Sequence, residues 1–282
     1  MHTRLLPYML LLPATAFLFL FFLYPFFLVA MQAFTDSNGG FSMGNFETMR
    51  SHWKFPIAFS NTLWLAAIVV PVQLILSLTM ATMVTKMERG RDMFLYIWTI
   101  PLGISDLAAG LIWLSIFEQQ GFLNSILFNV GLVDSPTAHL SYQSWYTVFI
   151  AIALAEIWRA TAIMLVILVA GMGLIPKEYY EAAEVFGASA WKRFTRITLP
   201  MLRPSLQTAL ILRVILAFEV FAVVEALGGT TLPVLMGETY QWQFILQDSG
   251  VAAAYALVIL GISIAFTLIL LRILRVPKGA QV

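Results

Sequence analysis

The sequence predicts an all-α membrane protein: a single domain over 1–282, with six transmembrane helices and a cytoplasmic helical loop between the fourth and fifth. Three observations carry this. The chain is 60% hydrophobic and only 11% charged, whereas soluble domains carry about 25% charged residues. Apolar runs recur at the length that spans the hydrocarbon, roughly 20 helical residues each. One long polar segment, "EYYEAAEVFGASAWKRFTRITLP" at 178–200, interrupts them.

The first span, about 11–33, follows Arg4, and its apolar run exceeds the roughly 7–15 residues of a signal peptide, so it reads as a retained span. The others are expected at about 58–84, 93–117, 145–172, 205–227 and 251–274. Between them, 34–57 contains "TDSNGG", 118–144 contains "VDSPTAH", and 228–250 opens on Gly228 and Gly229, all rich in turn residues. Trp113 and "TYQWQF" at 239–244 suit the lipid–water interface. Orientation follows from Lys and Arg in the connections. With the N-terminus cytoplasmic, twelve of the sixteen fall inside, Arg4 and Lys278 among them, and only Arg50 and Lys54 outside. Both termini are then cytoplasmic in a multi-pass membrane protein, and so is the connection 173–204.

Composition also excludes functions. The chain has no cysteine, so thiolate metal sites and cysteine nucleophiles are out. His2, His52 and His139 are scattered singly, so no metal site is expected. The net charge of +1 says nothing about partners, and no basic tract suggests nucleic acid. No G-x-x-x-x-G-K-[ST] occurs, so the chain has no phosphate-cradling loop with which to bind and split ATP.

The polar segment reads as two short helices. Pro176 suits a first helical turn, and Glu178, Glu181 and Glu184 follow where a helix start favours negative charge. Gly187 ends that helix in a left-handed conformation. Ser189 caps a second, which carries Lys192, Arg193 and Arg196 toward its end. Tyr180, Ala183, Phe186, Ala190, Phe194 and Ile197 recur at helical steps as an apolar stripe. A helix floating in the headgroups would show the same stripe, but three glutamates beside anionic lipid do not suit it.

Here the residues carry a resemblance. Glu181-Ala182-Ala183, then Gly187, then Ile197-x-Leu199-Pro200 matches E-A-A, three residues, G, nine residues, I-x-L-P, the "EAA" signature of permease subunits in bacterial and archaeal ABC importers. "RGRDMFLYIWTIP", "AEIWRATAIMLVILVAGMGLIP" and "LGGTT" resemble the carbohydrate-uptake, maltose-type group, over about residues 10–275. The resemblance implies that the loop is a coupling helix docked on a separate ATPase, with Glu181, Ala182, Ala183, Phe186, Gly187 and Phe194 at or behind the contact. It implies a second homologous permease, two nucleotide-binding subunits that hold the ATP and Mg, and an extracytoplasmic sugar-binding protein. No cofactor is expected on this chain.

Ionisable groups inside spans cost about 2.5–3.5 kcal/mol at the bilayer centre and default to functional candidates. Glu156 lies about 16 Å into the fourth span, and Arg159 shares its face. Asp106 and Glu219 lie roughly 20 Å from their cytoplasmic ends, and Arg213, about 12 Å in, is placed to snorkel toward the inner surface. Glu225 reaches the outer interface. Carboxylates and guanidinium match sugar hydroxyls, while Trp158 and Phe218 offer ring surface. The resemblance places sugar contacts at 156–163, including Ile163, and at 216–219, including Leu216. The other readings weighed are a structural Glu156–Arg159 pair, an ion-coupled secondary transporter half using Asp106, Glu156 and Glu219, and an intramembrane hydrolase around Ser189. The last lacks a nearby histidine.

Overall fold

The computed structural model describes residues 6–36 and 38–275. Arg4, Lys278, His2 and both chain termini lie outside them. The described residues are helical, apart from loops and one isolated bridge between Thr35 and Phe41. In order they form α1 (Leu6–Leu18), a π turn (Phe19–Leu23), α2 (Tyr24–Ala33), α3 (Gly44–Ser51), α4 (Lys54–Val84), α5 (Arg91–Thr99), α6 (Asp106–Phe117), α7 (Phe122–Asn129) and α8 (Trp145–Gly173). Then follow α9 (Lys177–Val185), α10 (Ala190–Arg193), α11 (Leu199–Met201), α12 (Arg203–Phe218), α13 (Ala222–Leu227), α14 (Leu235–Tyr240) and α15 (Ser249–Ile273).

Among the described residues, four stretches are long and apolar enough to cross a membrane as continuous helices: Tyr8–Ala33, Lys54–Val84, Tyr142–Gly173 and Ser249–Ile273. Two further crossings exist if each of two bent helix pairs counts as one. Arg91–Gly103 meets Asp106–Asn129 at 102°, and Ala190–Met201 meets Arg203–Phe218 at 69°. The third expected span, 93–117, is therefore not a straight helix. Pro101 and Gly103 end its first half, and Ser105 caps the second by accepting from the Ala108 amide at 3.2 Å. The fifth, 205–227, is interrupted between Phe218 and Ala222.

The chain divides into two compact units, one of residues 1–56 and 238–260, the other of 57–237 and 261–282. In the first, α1 is exposed on all sides, the pattern of a helix solvated by lipid. Asn45 fastens the end of α2, its amide donating to the carbonyls of Gln32, Ala33 and Thr35 at 3.1–3.2 Å. Glu238 is buried against Lys54 at 3.6 Å and His52 at 3.8 Å. Trp242, expected as an interfacial anchor, instead sets its ring edge-on to His52, with centroids 5.3 Å apart.

The second unit is organised on α8, whose buried face runs most of its length. One apolar cluster joins Leu65 and Val69 of α4, Val148 and Ile152 of α8, and Val223 and Val224 of α13. A second joins Met80 and Val84 of α4, Met164 and Leu168 of α8, and Leu206 and Ala209 of α12. Along α4, α8 and α12, Gln73, Glu156 and Arg213 lie between the two clusters in sequence, all buried. The polar layer is thus sealed by hydrocarbon above and below.

The broken third segment is held by close packing. A Cβ on Gly110 would stand 2.6 Å from Ala226 Cβ and 3.2 Å from Val223 Cα, so α6 touches α13 almost backbone to backbone. Gly110→Ala is expected to destabilise the unit by about 1–3 kcal/mol through overpacking. Thermal unfolding of the purified chain in detergent reads this as a lowered midpoint. An unchanged midpoint would mean that α6 moves aside at no cost.

Candidate functional site

Four charged groups and an amide form a continuous ladder through the second unit. Asp106, first residue of α6, accepts from Arg159 Nη1 at 2.8 Å. Arg159 Nη2 also reaches Glu156 Oε1 at 3.2 Å. Glu156 Oε2 accepts from Arg213 Nη2 at 2.8 Å. Arg213 Nε donates to Gln73 Oε1 at 2.5 Å, and Gln73 Nε2 donates to the Glu156 carbonyl at 2.7 Å. Acids and bases alternate, so the ladder is neutral. A buried charge is tolerated when paired and hydrogen-bonded, and the balance explains how so many ionisable groups persist in so apolar a chain.

The two ends of the ladder differ. Arg213 is 1% exposed and Glu156 3%, whereas the Asp106 side chain is 53% exposed. The break at Ile104 and Ser105 produces this, turning the start of α6 so that Asp106 stands at the surface of the unit beside Arg159. Arg159 Nε and Arg213 Nη1 are buried donors with no acceptor among the described residues.

Several expected positions hold and others change. Arg213 does not snorkel. It turns inward because Glu156, on the neighbouring helix, offers a partner that the inner surface would have to outbid. Glu156 and Arg159 do pair, but the shorter contact of Glu156 is to Arg213. Phe218 offers no ring surface, being buried edge-on against Phe266 with centroids 5.1 Å apart. Trp158 is half-buried and packs on Trp113 at 6.2 Å, and Ile163 lies half-buried beside the second apolar cluster. Leu216, Glu219 and Glu225 are exposed. Gln73 carries no charge, so the cost of burying ionisable groups within spans does not single it out. A lone amide in the run "VVPVQLILSL" was the available signal.

The segment after α8 forms the two expected helices. The turn between them is a Schellman motif: the Gly187 amide donates to the Glu184 carbonyl and the Ala188 amide to Ala183, each at 2.9 Å. Gly187 has φ +68°, the left-handed conformation. Ser189 accepts from the Lys192 amide at 3.4 Å. An ion pair joins Glu184 to Arg193 across the turn, and the hydroxyls of Tyr180 and Thr198 lie 3.0 Å apart. Glu181 and Ala182 are exposed, Ala183 half-buried. Phe186 leaves the apolar stripe and is 88% exposed at the turn, near the exposed Val185. Phe194 is half-buried and stacks on the exposed Trp191 at 5.8 Å. Among the described residues, no group of three or more His, Asp or Glu is placed to hold a metal ion.

Broken apolar helices around a buried charged layer, joined to a polar helix pair with aromatic rings standing free, define a membrane transport permease. The chain belongs to the family of binding-protein-dependent transport system inner membrane components, whose profile matches residues 73–275. It is 33% identical over 213 residues to the trehalose/maltose transport system permease protein MalF of Thermococcus litoralis, covering 73% of this chain and 70% of that one. It is 32% identical over 294 residues to the sulfoquinovosyl glycerol transport system permease protein SmoG of Agrobacterium fabrum, covering 96% and 91%. A chain of the bacterial alginate ABC transporter, solved with an alginate-pentasaccharide-bound periplasmic protein, shares the fold at a TM-score of 0.81 and 22% identity, with 96% and 94% covered.

Proposed function

We propose that this chain forms one half of the membrane pathway of an ATP-driven importer, moving a mono- to oligosaccharide or related polyol delivered by an extracytoplasmic binding protein. A second, homologous permease completes the pathway, and two ATPase subunits, which bind the ATP and Mg, drive it. With six crossings and the Lys and Arg residues concentrated on the inner side, the termini and the helix pair α9–α10 are read as cytoplasmic. The observation that carries this reading is that helix pair. It sets Glu181-Ala182-Ala183 before a left-handed Gly187 and leaves Phe186 standing free, as a docking element requires and a headgroup-floating helix does not. The sugar class is supported by the substrates in the names of the relatives.

The substrate site is proposed at the exposed end of the ladder. Asp106 and Arg159 supply acceptor and donor, Leu216 an exposed apolar surface, Glu219 a second carboxylate, and Trp158 a partly accessible ring. Ile163 follows one helical turn beyond Arg159 on α8. A half-exposed aspartate is not tolerated against lipid tails, so this face belongs to an aqueous pathway or to the second permease. Glu156 then acts from behind, holding Arg159, while Phe218 is packing. An ion-coupled half would need a buried carboxylate free to release its proton or cation. The doubly paired Glu156 does not suit that.

Reconstitution tests the reading. The purified chain alone is expected to hydrolyse no ATP. Joined with its second permease, ATPase and binding protein in proteoliposomes, it should give ATP hydrolysis stimulated by the sugar-loaded binding protein. ATP hydrolysis by the single chain, or sugar uptake driven by an ion gradient without ATP, would overturn it.

A further inference from the structure

A cavity of about 610 Å³ is lined by residues of the helix pair α9–α10 and of the ends of α4, α5 and α8. Its lining combines the apolar Met172, Ile175 and Phe194 with the cations Lys86, Arg91, Lys177 and Arg193. Arg193 is neutralised by Glu184, the acid in the lining. Lys86, Arg91 and Lys177 pair with no acid among the described residues. These three come from three separate elements: just past the end of α4, the start of α5 and the start of α9. The apolar stretches of α4 and α8 end here, at Val84 and Gly173. The cavity therefore stands at the level where hydrocarbon gives way to headgroups.

We propose that this cavity binds a phosphate-bearing anion, the headgroup of an anionic phospholipid of the cytoplasmic leaflet. The location rests on the orientation proposed above. Lys86, Arg91 and Lys177 are exposed and line one cavity with no acid paired to them, and a phosphate would supply the counter-charge. Basic pockets between membrane helices on the cytoplasmic side suit anionic headgroups. The apolar lining favours a lipid over free phosphate, since it accepts the first carbons of the glycerol backbone. A headgroup seated here would tie α9 to the ends of α4 and α5. The lipid would then stiffen the element that carries force between the ATPase and the membrane helices.

The test uses the complete importer in nanodiscs of phosphatidylcholine alone or mixed with an equal amount of phosphatidylglycerol. Wild type is compared with the triple variant Lys86→Gln, Arg91→Gln, Lys177→Gln. Wild type is expected to retain phosphatidylglycerol through purification, read by native mass spectrometry. The variant should lose retention by about fivefold per cation removed. Binding-protein-stimulated ATP hydrolysis should rise with phosphatidylglycerol in wild type and not in the variant. Equal lipid retention by both proteins would overturn the site. Loss of the ATPase subunit from the variant in both lipids would overturn it too, assigning the cations to subunit docking. If glycerol phosphate added to phosphatidylcholine discs gives the full rise, the ligand is a soluble phosphate and the lipid source is overturned. Should wild type show no stimulated hydrolysis in any disc, the importer reading fails, while retention still reports on the cavity.

Discussion

Glu156→Leu is expected to stop the chain accumulating in the membrane, and Arg213→Met in the same chain to restore it. The single substitution leaves the Asp106–Arg159 pair intact but strands Arg213, which is 1% exposed and then keeps only Gln73 as a partner. Removing one partner of a buried pair costs about 3–5 kcal/mol, while replacing both with apolar residues is often neutral. A loss of that size is a large share of the roughly 5–15 kcal/mol that holds a fold together. The choice of rescuer is the discriminating part. Arg159→Met combined with Glu156→Leu should not rescue, because Arg213 stays stranded and Asp106 loses its partner as well. Membrane abundance by immunoblot and thermal unfolding of the purified chain both read the outcome. Rescue by Arg159→Met and not by Arg213→Met would refute the ladder as drawn. Asp106→Asn provides the contrast. Asp106 itself is half-exposed and Arg159 keeps Glu156 as a partner, so the loss costs about 1 kcal/mol, and the chain should accumulate normally while uptake falls.

That contrast marks where sequence reasoning stops. The apolar runs locate the crossings because lipid demands length and composition, which are local properties. The break in the third segment was also legible: "TIPLGISD" holds a proline, a glycine and a serine cap. Treating 93–117 as one straight helix hid it and made the depth assigned to Asp106 meaningless. The break after Phe218 has no such marker, since "FEVF" contains neither glycine nor proline. Burial of Phe218 against Phe266 and the inward turn of Arg213 likewise depend on which helices become neighbours. Periodicity within a single helix does not contain that information. The helix pair α9–α10 lies at the other extreme. Its left-handed turn and serine cap are local and the structure reproduces both, while Pro176 stands one position earlier than expected, at the N-cap of α9.

Because that turn is local, Gly187→Val is expected to abolish coupling while leaving the chain folded and inserted. A Cβ at this position meets nothing within 4 Å, so the effect is conformational and not a clash. The residue sits at φ +68°, where an L-residue costs about 1–2 kcal/mol and a β-branched one more. Losing the left-handed turn breaks the two hydrogen bonds that close α9. It also swings Phe186 away from the position set by Glu181-Ala182-Ala183. If those residues dock on an ATPase, a penalty of this size lowers the population of the docking-competent turn about 5–30-fold. Asparagine visits the left-handed region more readily than other side chains, so Gly187→Asn should retain most of the coupling. The measurement is co-purification of the ATPase together with hydrolysis stimulated by the loaded binding protein, at equal membrane abundance of all three proteins. The expected order is glycine, then asparagine, with valine far below. If the valine variant held its ATPase and hydrolysed ATP like wild type, α9 and α10 would be an interfacial helix pair, and the coupling role assigned to Glu181, Phe186 and Gly187 would fall.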